Sequence, residues 1–531
     1  MKFLSGLNLR VCSIKEIKMK NDSAKQIKLG MILSYLNLGI GNLIPFFYTP
    51  IMLELLGQSE YGLYKIAGST TSYLSLMAFG IGAAVSRFII KARTQQGKDA
   101  EERMFGLFNL LFHAIALLTI VVGGIITWKL DLVYGASLSS VELNRMRILV
   151  ALMVINTAIS FSATAYNAIV SSHERFLFIH SVNILLTVGS PVLNLVVLFM
   201  GYRSIGMTVI SLSLSIIVRL IYLAYVRKSL DIRPRYKGMP INAIREIFAF
   251  SFWIFISNIV GQIYSATDMV IIGAIPALAT TGAAVYSIGN TFTNIIFSLS
   301  QIAPGFFAPR VNQMVFSDCD NNQLNDLMIK IGRLQGVVVL LVCSGFIAFG
   351  MPFLNCYVGP GYNEAYWVAV VVMIPNCIPL IQSVALTVIQ AKNMHQFRSK
   401  VYLGIAILNV VGTLLLVRKF GVIGAAIPTG VSYLLGHGFI MNWYYWKKVD
   451  LDIPLFWKKL MPLFIVSAIP CAMTLLISRW IDFYSWGRLF AGIMCYTVIY
   501  AVLLWTLVFD KSEKDLLKYT MLRKIKQNSK T

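Results

Sequence analysis

Charged residues are scarce in this sequence, and acidic residues are the scarcest. Only 13% of the 531 residues are charged and 57% are hydrophobic, whereas soluble domains carry roughly 25% charged and 45–50% apolar residues. Lys and Arg number 46 against 23 Asp and Glu, which gives a net charge of +23. This composition excludes a disordered chain and argues against a nucleic-acid partner or a cytosolic enzyme. It indicates a protein embedded in lipid whose few charges are sorted to one side.

Motifs for catalysis and metal binding are also missing. The seven cysteines form no C-x-x-C pair, and no P-loop, H-E-x-x-H motif or histidine cluster occurs. We therefore expect free thiols, no metal, no cofactor and no catalytic site. The one D-x-D element, Asp318 to Asp320, lies in a short polar loop without a globular domain around it, which favours an ordinary solvated loop.

Long apolar runs dominate what is present. A helix that crosses about 30 Å of hydrocarbon needs roughly 20 apolar residues, and the runs here are continuous rather than alternating, so the sequence predicts helices. We predict an all-α integral membrane protein with about fourteen spans. Their approximate limits are 31–55, 62–90, 104–128, 148–171, 176–200, 204–226, 246–273, 279–308, 334–357, 365–390, 401–417, 422–445, 460–478 and 489–509.

The distribution of basic residues predicts the orientation. If the N-terminus is cytoplasmic, the inner segments hold 35 Lys and Arg and the outer loops hold 8, which is the bias that the positive-inside rule expects. Both termini are therefore predicted to be cytoplasmic. Residues 1–28 lack the apolar core of a signal peptide, and Met19 is an alternative start.

Weak internal similarity predicts two lobes. Arg87 and Arg310 are 223 residues apart, and Ile205-Gly206 and Ile423-Gly424 are 218 apart. Six helices per lobe would make the repeats parallel, with a cleft between them.

The basic cytoplasmic segments are expected to bind anionic lipids. The predicted parts are a basic cytoplasmic tail (1–28), an N-lobe (29–228), a cytoplasmic linker (229–245), a C-lobe (246–446), two further helices (447–509) and a second basic cytoplasmic tail (510–531).

Basic residues inside or next to spans are the first candidate site. Charge within a membrane is costly and commonly functional. The alternative is that these long side chains snorkel to the interface. The candidates for binding an anionic substrate are Lys65, Arg87, Arg219 and Arg310.

Uncharged polar residues and one acid complete the candidate set. Asn37, Asn42 and Tyr48 line the first span among Gly and Pro residues, which is typical of a helix that borders a cavity or packs closely. Gln262 and Asp268 lie in the seventh span, and no basic residue is near Asp268 in sequence. Pairing across helices, proton coupling and substrate contact are all open for Asp268.

Several segments together resemble a known family. The segments Thr49–Leu53, Leu56–Tyr64 and Gly80–Phe88 look like those of Wzx-type polysaccharide flippases, of the multidrug/oligosaccharidyl-lipid/polysaccharide exporter superfamily, as do Thr267-Asp268 and Gly421–Ala426. The resemblance implies two six-helix lobes that work by alternating access in the bacterial inner membrane. It implies an undecaprenyl-pyrophosphate-linked oligosaccharide as cargo for O-antigen, capsule or exopolysaccharide, with a polymerase and glycosyltransferases as candidate partners. Only a few basic residues lie within spans here, whereas some relatives have a strongly cationic cavity.

Two other functions compete with this hypothesis. A cation-coupled multidrug exporter could use the same scaffold, but cationic drugs need buried carboxylates and Asp268 stands nearly alone among the basic residues of the spans. A membrane glycosyltransferase or polymerase generally needs a sizeable outer loop or an acid and histidine cluster. The outer loops here are short, the longest running only from Lys129 to Arg147.

Overall fold

The computed structural model describes residues 33, 37, 39–300, 307, 310–315, 321–392, 394–510 and 514. Over these residues the chain is almost entirely helical and contains no strand. The predicted all-α membrane fold is therefore confirmed. The two basic tails, Met19 and the Asp318–Asp320 element lie outside the described residues, apart from Asp510 and Lys514 at the start of the C-terminal tail.

The helices group into two units, the first ending at Ala284 and the second beginning at Val285. The boundary lies within the helix Ala279–Ser300 (α10). The predicted lobe limits, 29–228 and 246–446, stay predictions. The first unit also contains Gly39–Leu56 (α1), Gln58–Ser72 (α2), Ile81–Gln96 (α3), Lys98–Trp128 (α4), Leu130–Tyr134 (α5), Ser140–Ser172 (α6), Phe176–Phe199 (α7), Arg203–Ser229 (α8) and Ala243–Ala274 (α9).

Besides the short helical stretch 310–315, the second unit continues with seven α-helices and two π-helical stretches over the described residues. A short 3₁₀ turn, Pro360–Tyr362, joins the first two of them. The π-helical stretches are Leu434–Met441 and Leu504–Val508. The α-helices are Asn321–Val358 (α11), Asn363–Ile381 (α12), Ser383–Ala391 (α13), His395–Tyr433 (α14), Asn442–Lys448 (α15), Ile453–Ile477 (α16) and Trp486–Leu503 (α17).

Within the described residues, eleven helices are long and apolar enough to cross a membrane. The three other predicted spans also coincide with helices over part of their described residues. The span 62–90 is divided between α2 and α3, the span 279–308 contains α10, and one continuous helical run, Gln396–Lys448, holds the spans 401–417 and 422–445. Gly421, at φ 60° and ψ −141°, separates the last two.

The core of the first unit lies where α3, α4, α6 and α8 meet. Phe105 and Tyr166 pack edge to face with ring centroids 5.3 Å apart, and Phe108 and Ile169 are fully buried beside them. Because lipid tails are as apolar as these side chains, close van der Waals packing holds the helices together. A capping box fixes the start of α6, where Ser139 Oγ accepts from the Glu142 amide and the Glu142 carboxylate accepts from the Ser139 amide at 3.0 Å.

The predicted linker 229–245 folds back onto the beginning of α4. The Arg235 amide donates to the Glu102 carbonyl at 3.0 Å, the Arg235 guanidinium pairs with Asp99, and Lys98 pairs with Asp231 at 2.9 Å. The hydrogen bond from Lys98 holds the pKa of Asp231 below its usual range. A Cβ at Gly106 would collide with the backbone of Arg235, so glycine there permits the close approach.

Candidate functional site

The second predicted span is interrupted halfway. After α2 the chain forms a 3₁₀ turn, Tyr73–Ala78, and then passes through positive φ at Phe79 (48°) and Gly80 (71°) before α3 begins. A Cβ at Gly80 would lie 2.7 Å from the Ser251 carbonyl oxygen of α9, so only glycine suits both the dihedral angle and the space. Irregular backbone at membrane depth is tolerated where protein buries it or where it lines a cavity.

Polar side chains gather where this interruption meets α9, and we call them the Asp268 cluster: Ser72, Tyr73, Gln262, Thr267 and Asp268. Gln262 Nε2 donates to Ser72 Oγ, and the Tyr73 and Thr267 hydroxyls are hydrogen-bonded at 2.5 Å. Asp268 is 3% exposed. The structure thus joins Gln262 to Ser72, and Thr267, which precedes Asp268, to Tyr73; both partners belong to the second span and were missed by sequence reasoning. Tyrosine and serine are common in membrane helices, so neither partner stood out.

The basic candidates in the first unit each contact a different partner. The Lys65 ammonium lies 5.2 Å from the centroid of the Tyr61 ring. The Arg87 guanidinium lies 4.6 Å from the centroid of the Phe250 ring on α9, and its side chain is exposed. Such cation–π contacts hold a charged group in place without neutralising it.

Arg219 makes a polar contact between two helices. Its Nη2 lies 3.4 Å from His113 Nε2. The His113 Nδ1 lies 2.6 Å from the Asn109 carbonyl oxygen, which assigns the proton to Nδ1 and leaves Nε2 to accept from the guanidinium. Arg219 therefore joins α8 to α4 within the first unit.

The candidates on the first span differ in their contacts. Asn37 Oδ1 accepts from Thr187 Oγ1 of α7 at 3.0 Å. Asn42 and Tyr48 are half-buried, and the Tyr48 hydroxyl is buried. Arg310, in the second unit, is exposed at the start of the described helical stretch 310–315.

A buried carboxylate in the first turn of α2 is a feature that sequence reasoning missed. Glu60 is 7% exposed, and its Oε2 lies 2.6 Å from Arg145 Nη1 and 3.8 Å from Arg203 Nη1. Ser204 Oγ donates to its Oε1 at 2.5 Å. Glu60 stands in the segment Leu56–Tyr64 that carries the family resemblance, but Arg145 is 85 residues away in sequence.

A second polar network in the C-terminal unit was also missed. Asn442 follows the π-helical stretch Leu434–Met441, and its Oδ1 accepts from Gln382 at 2.6 Å and from the Trp457 indole at 3.3 Å. His437, within that stretch, lies 3.1 Å from the Tyr402 hydroxyl. π-helical turns often occur at functional sites.

In the described part of the chain, no group of three or more His, Cys, Asp or Glu side chains could hold a metal ion.

Comparison with known proteins gives one family and one fold. A family model described as polysaccharide biosynthesis protein matches residues 28–312, more than half of the chain. The probable low-salt glycan biosynthesis flippase Agl15 of Haloferax volcanii is 23% identical over 189 residues, 36% of this chain. That alignment spans 39% of the relative's own length.

Two solved structures show the fold. The lipid II flippase MurJ, in an inward closed conformation, superposes with a TM-score of 0.65 at 16% identity, over 91% of this chain and 100% of that chain. An inward-facing multidrug resistance MATE family transporter of the MOP superfamily gives a TM-score of 0.54 at 12% identity, over 82% of this chain and 99% of the other. The chain is thus a multi-pass helical membrane protein with the fold of these transporters.

Proposed function

Because this chain belongs to the polysaccharide biosynthesis protein family, we propose that it translocates undecaprenyl-pyrophosphate-linked oligosaccharide repeat units across the bacterial inner membrane. It does so by alternating access, with both termini cytoplasmic and without a catalytic step. The repeat units then serve the assembly of O-antigen, capsule or exopolysaccharide, with the polymerase and glycosyltransferases of that pathway as partners.

The single observation that carries the proposal is the family match over residues 28–312, which include all of the described first unit. The physical chemistry of the polar groups supports it. The cargo has a pyrophosphate and sugars that must leave water and a tail that stays in lipid. Guanidinium and ammonium groups neutralise phosphate, and hydroxyl and amide groups replace water around a sugar.

Arg87 and Arg310 are the proposed phosphate-binding residues, with Lys65 and Arg219 as further basic contacts. A guanidinium that stacks on an aromatic ring, as Arg87 does on Phe250, keeps its in-plane N–H groups available for a forked contact with phosphate oxygens. Arg310 occupies the repeat-equivalent position by the sequence offset and is exposed. Asn37, Asn42, Tyr48 and Gln262 are proposed as uncharged substrate contacts.

A deletion strain tests the function directly. Loss of a flippase should trap finished lipid-linked repeat units on the inner leaflet while glycosyl transfer continues, and the wild-type gene should clear them. Incomplete repeat units, or normal polymer, would contradict the proposal.

Single variants then test the arginines. Arg→Ala at either position should reduce polymer by roughly tenfold or more, since a hydrogen bond to a charged group contributes about 1.5–3 kcal/mol. Arg→Lys should be partial, because lysine keeps the charge but loses the fork. Lys91→Ala is the matched control, since exposed Lys91 follows Arg87 by one turn and pairs with Glu246 at 3.8 Å. Simple snorkelling predicts that lysine substitutes freely at both sites, and full activity of all four variants at equal protein levels would leave the proposed phosphate binding without support.

A cation-coupled multidrug exporter is the second candidate, and the buried carboxylate of Asp268 is the observation that favours it. Against it, the other charges that the sequence places within spans are basic: Lys65, Arg87 and Arg219. Drug susceptibility of the deletion strain separates the two functions, because an exporter should lower sensitivity to cationic drugs without affecting lipid-linked intermediates.

A further inference from the structure

A cavity lined by both polar and apolar side chains lies among α6, α7 and α8, apart from the Asp268 cluster. Its volume is about 390 Å³, within the range of small-molecule sites. The residues around it come from the middle of each helix rather than from the ends. Seven of them carry a short hydroxyl or amide side chain: Asn156, Ser160, Thr164, Asn167, Ser190, Ser211 and Ser215.

Hydrogen bonds within the helices occupy the donors of some lining groups and leave both acceptors and donors around this cavity. The hydroxyls of Ser160, Thr164 and Ser211 each donate to a carbonyl one turn earlier in their own helix, at 2.9, 3.0 and 3.0 Å. Their hydrogens are thus used, while lone pairs on the same oxygens remain to accept. Asn156 Oδ1 is buried and accepts no hydrogen bond from the described residues.

The cavity also differs from a cation or phosphate site in its charge. None of the described residues that line it is charged, and Arg219, which follows the lining residue Val218, is engaged with His113 of α4. A ligand that satisfies neutral acceptors and donors in a membrane interior must bring both kinds of group and carry no net charge there. A sugar ring, with several hydroxyls and two apolar faces, has this chemistry, and Leu186, Leu214 and Tyr222 supply apolar surface.

We propose that the cavity among α6, α7 and α8 binds a neutral, hydroxyl-rich sugar of the transported repeat unit through its hydroxyl and amide side chains, Asn156 among them. This inference rests on the proposed function and adds a sugar subsite to it. The subsite lies within the first unit and is separate from Arg87, which is assigned to phosphate. The two groups of the cargo are thus recognised by different chemistry.

Two variants test the subsite, one by removing a polar group and the other by filling the cavity. Asn156→Leu removes an acceptor that bonds nothing in the described protein, so it should not lower stability. Ala163→Leu, at another lining residue, fills the cavity without removing a hydrogen bond. The controls are Thr157→Val and Ser213→Ala. Both alter hydroxyls that bond one turn back on the same helices but do not line the cavity.

The probe is the free oligosaccharide released by mild acid from the lipid-linked intermediate of the deletion strain. Binding to full-length protein in nanodiscs is measured by saturation-transfer NMR, in parallel with polymer output in cells. We expect Asn156→Leu to weaken binding about tenfold and Ala163→Leu to abolish it, with both controls like wild type. Permethylated oligosaccharide, which has no O–H donors, should not bind.

The outcomes separate the subsite from the function. If repeat units are trapped in the deletion strain but both cavity variants bind and restore polymer like wild type, the subsite is wrong and the proposed function stands. Equal binding of permethylated and free oligosaccharide would also overturn the subsite, since it would show that hydroxyl donors are not recognised. If no lipid-linked intermediate is trapped, the proposed function fails and the sugar assignment fails with it.

Discussion

Asp268 is ionisable and only 3% exposed, and burying an ionisable side chain in a membrane helix costs free energy. Its neighbour Thr267 is hydrogen-bonded to Tyr73 at the interruption of the second span. A carboxylate next to this interruption can bind a cation or a proton, and the change in its charge can shift the conformation of the backbone around it. We propose that Asp268 serves coupling or helix pairing rather than folding.

Asp268→Asn tests this role, because it keeps the shape and removes the charge. We expect near-normal abundance in the membrane and impaired transport, measured as polymer output over a range of external pH. Glu54→Gln is the control, since Glu54 is an exposed acid at the end of a span. Normal transport by the Asn variant at every pH would exclude coupling through this carboxylate.

Glu60 is predicted to act on stability. Its carboxylate accepts from Arg145 and Ser204 at 2.6 and 2.5 Å, and so fastens α2 to α6 and α8. Glu60→Gln keeps an acceptor for Ser204 but loses the charge, so the free energy of unfolding should fall by about 1–3 kcal/mol. Thermal unfolding in detergent measures the change.

The control for Glu60 is an exposed ion pair in the second unit. Arg488 and Asp482 are 3.7 Å apart and both side chains are 63% exposed, so Arg488→Gln should change stability by less than about 1 kcal/mol. An equal loss of stability in the two variants would mean that the burial of Glu60 adds nothing to the free energy of unfolding.

At the scale of elements, the interruption between α2 and α3 is the feature with the clearest test. Gly80 has φ 71° and packs against the backbone of α9. Gly80→Ala should therefore strain the backbone at position 80 and make the new Cβ clash with α9. We expect reduced thermal stability and loss of transport. Gly68→Ala, on α2, is the matched control because a Cβ there meets nothing within 4 Å. Equal behaviour of the two variants would show that the interruption is dispensable.

Sequence and structure agree on the helices because a membrane span has a local sequence pattern, namely some 20 consecutive apolar residues. The interruption at Phe79 and Gly80 was not predicted, since it depends on how closely α9 approaches, and that contact has no local pattern. The same holds for the candidate site. Gln262 and Asp268 were identified because they are polar within an apolar run, whereas Tyr73 became evident only from its contact with Thr267.

At the scale of the whole molecule, charge and helix order together predict the orientation. The bias of 35 basic residues against 8 holds only if the helical runs alternate sides fourteen times. The structure is compatible with that alternation, because helices flank both the interruption at Phe79 and Gly80 and the kink at Gly421. A different number of crossings would put basic segments such as the linker on the outer side.

Reporter fusions test the predicted orientation at four positions. Gly135 and Gly359 lie in loops predicted to be outside, and Gly97 and Lys237 in segments predicted to be cytoplasmic. Gly97 joins α3 to α4 and Gly359 precedes the turn Pro360–Tyr362, both at positive φ outside helices. A reporter active only outside the cytoplasm should be active at the first pair and silent at the second. Inversion at two of the four sites would overturn the fourteen-span topology, and with it the placement of Arg87 and Arg310 on the side where a lipid-linked pyrophosphate enters.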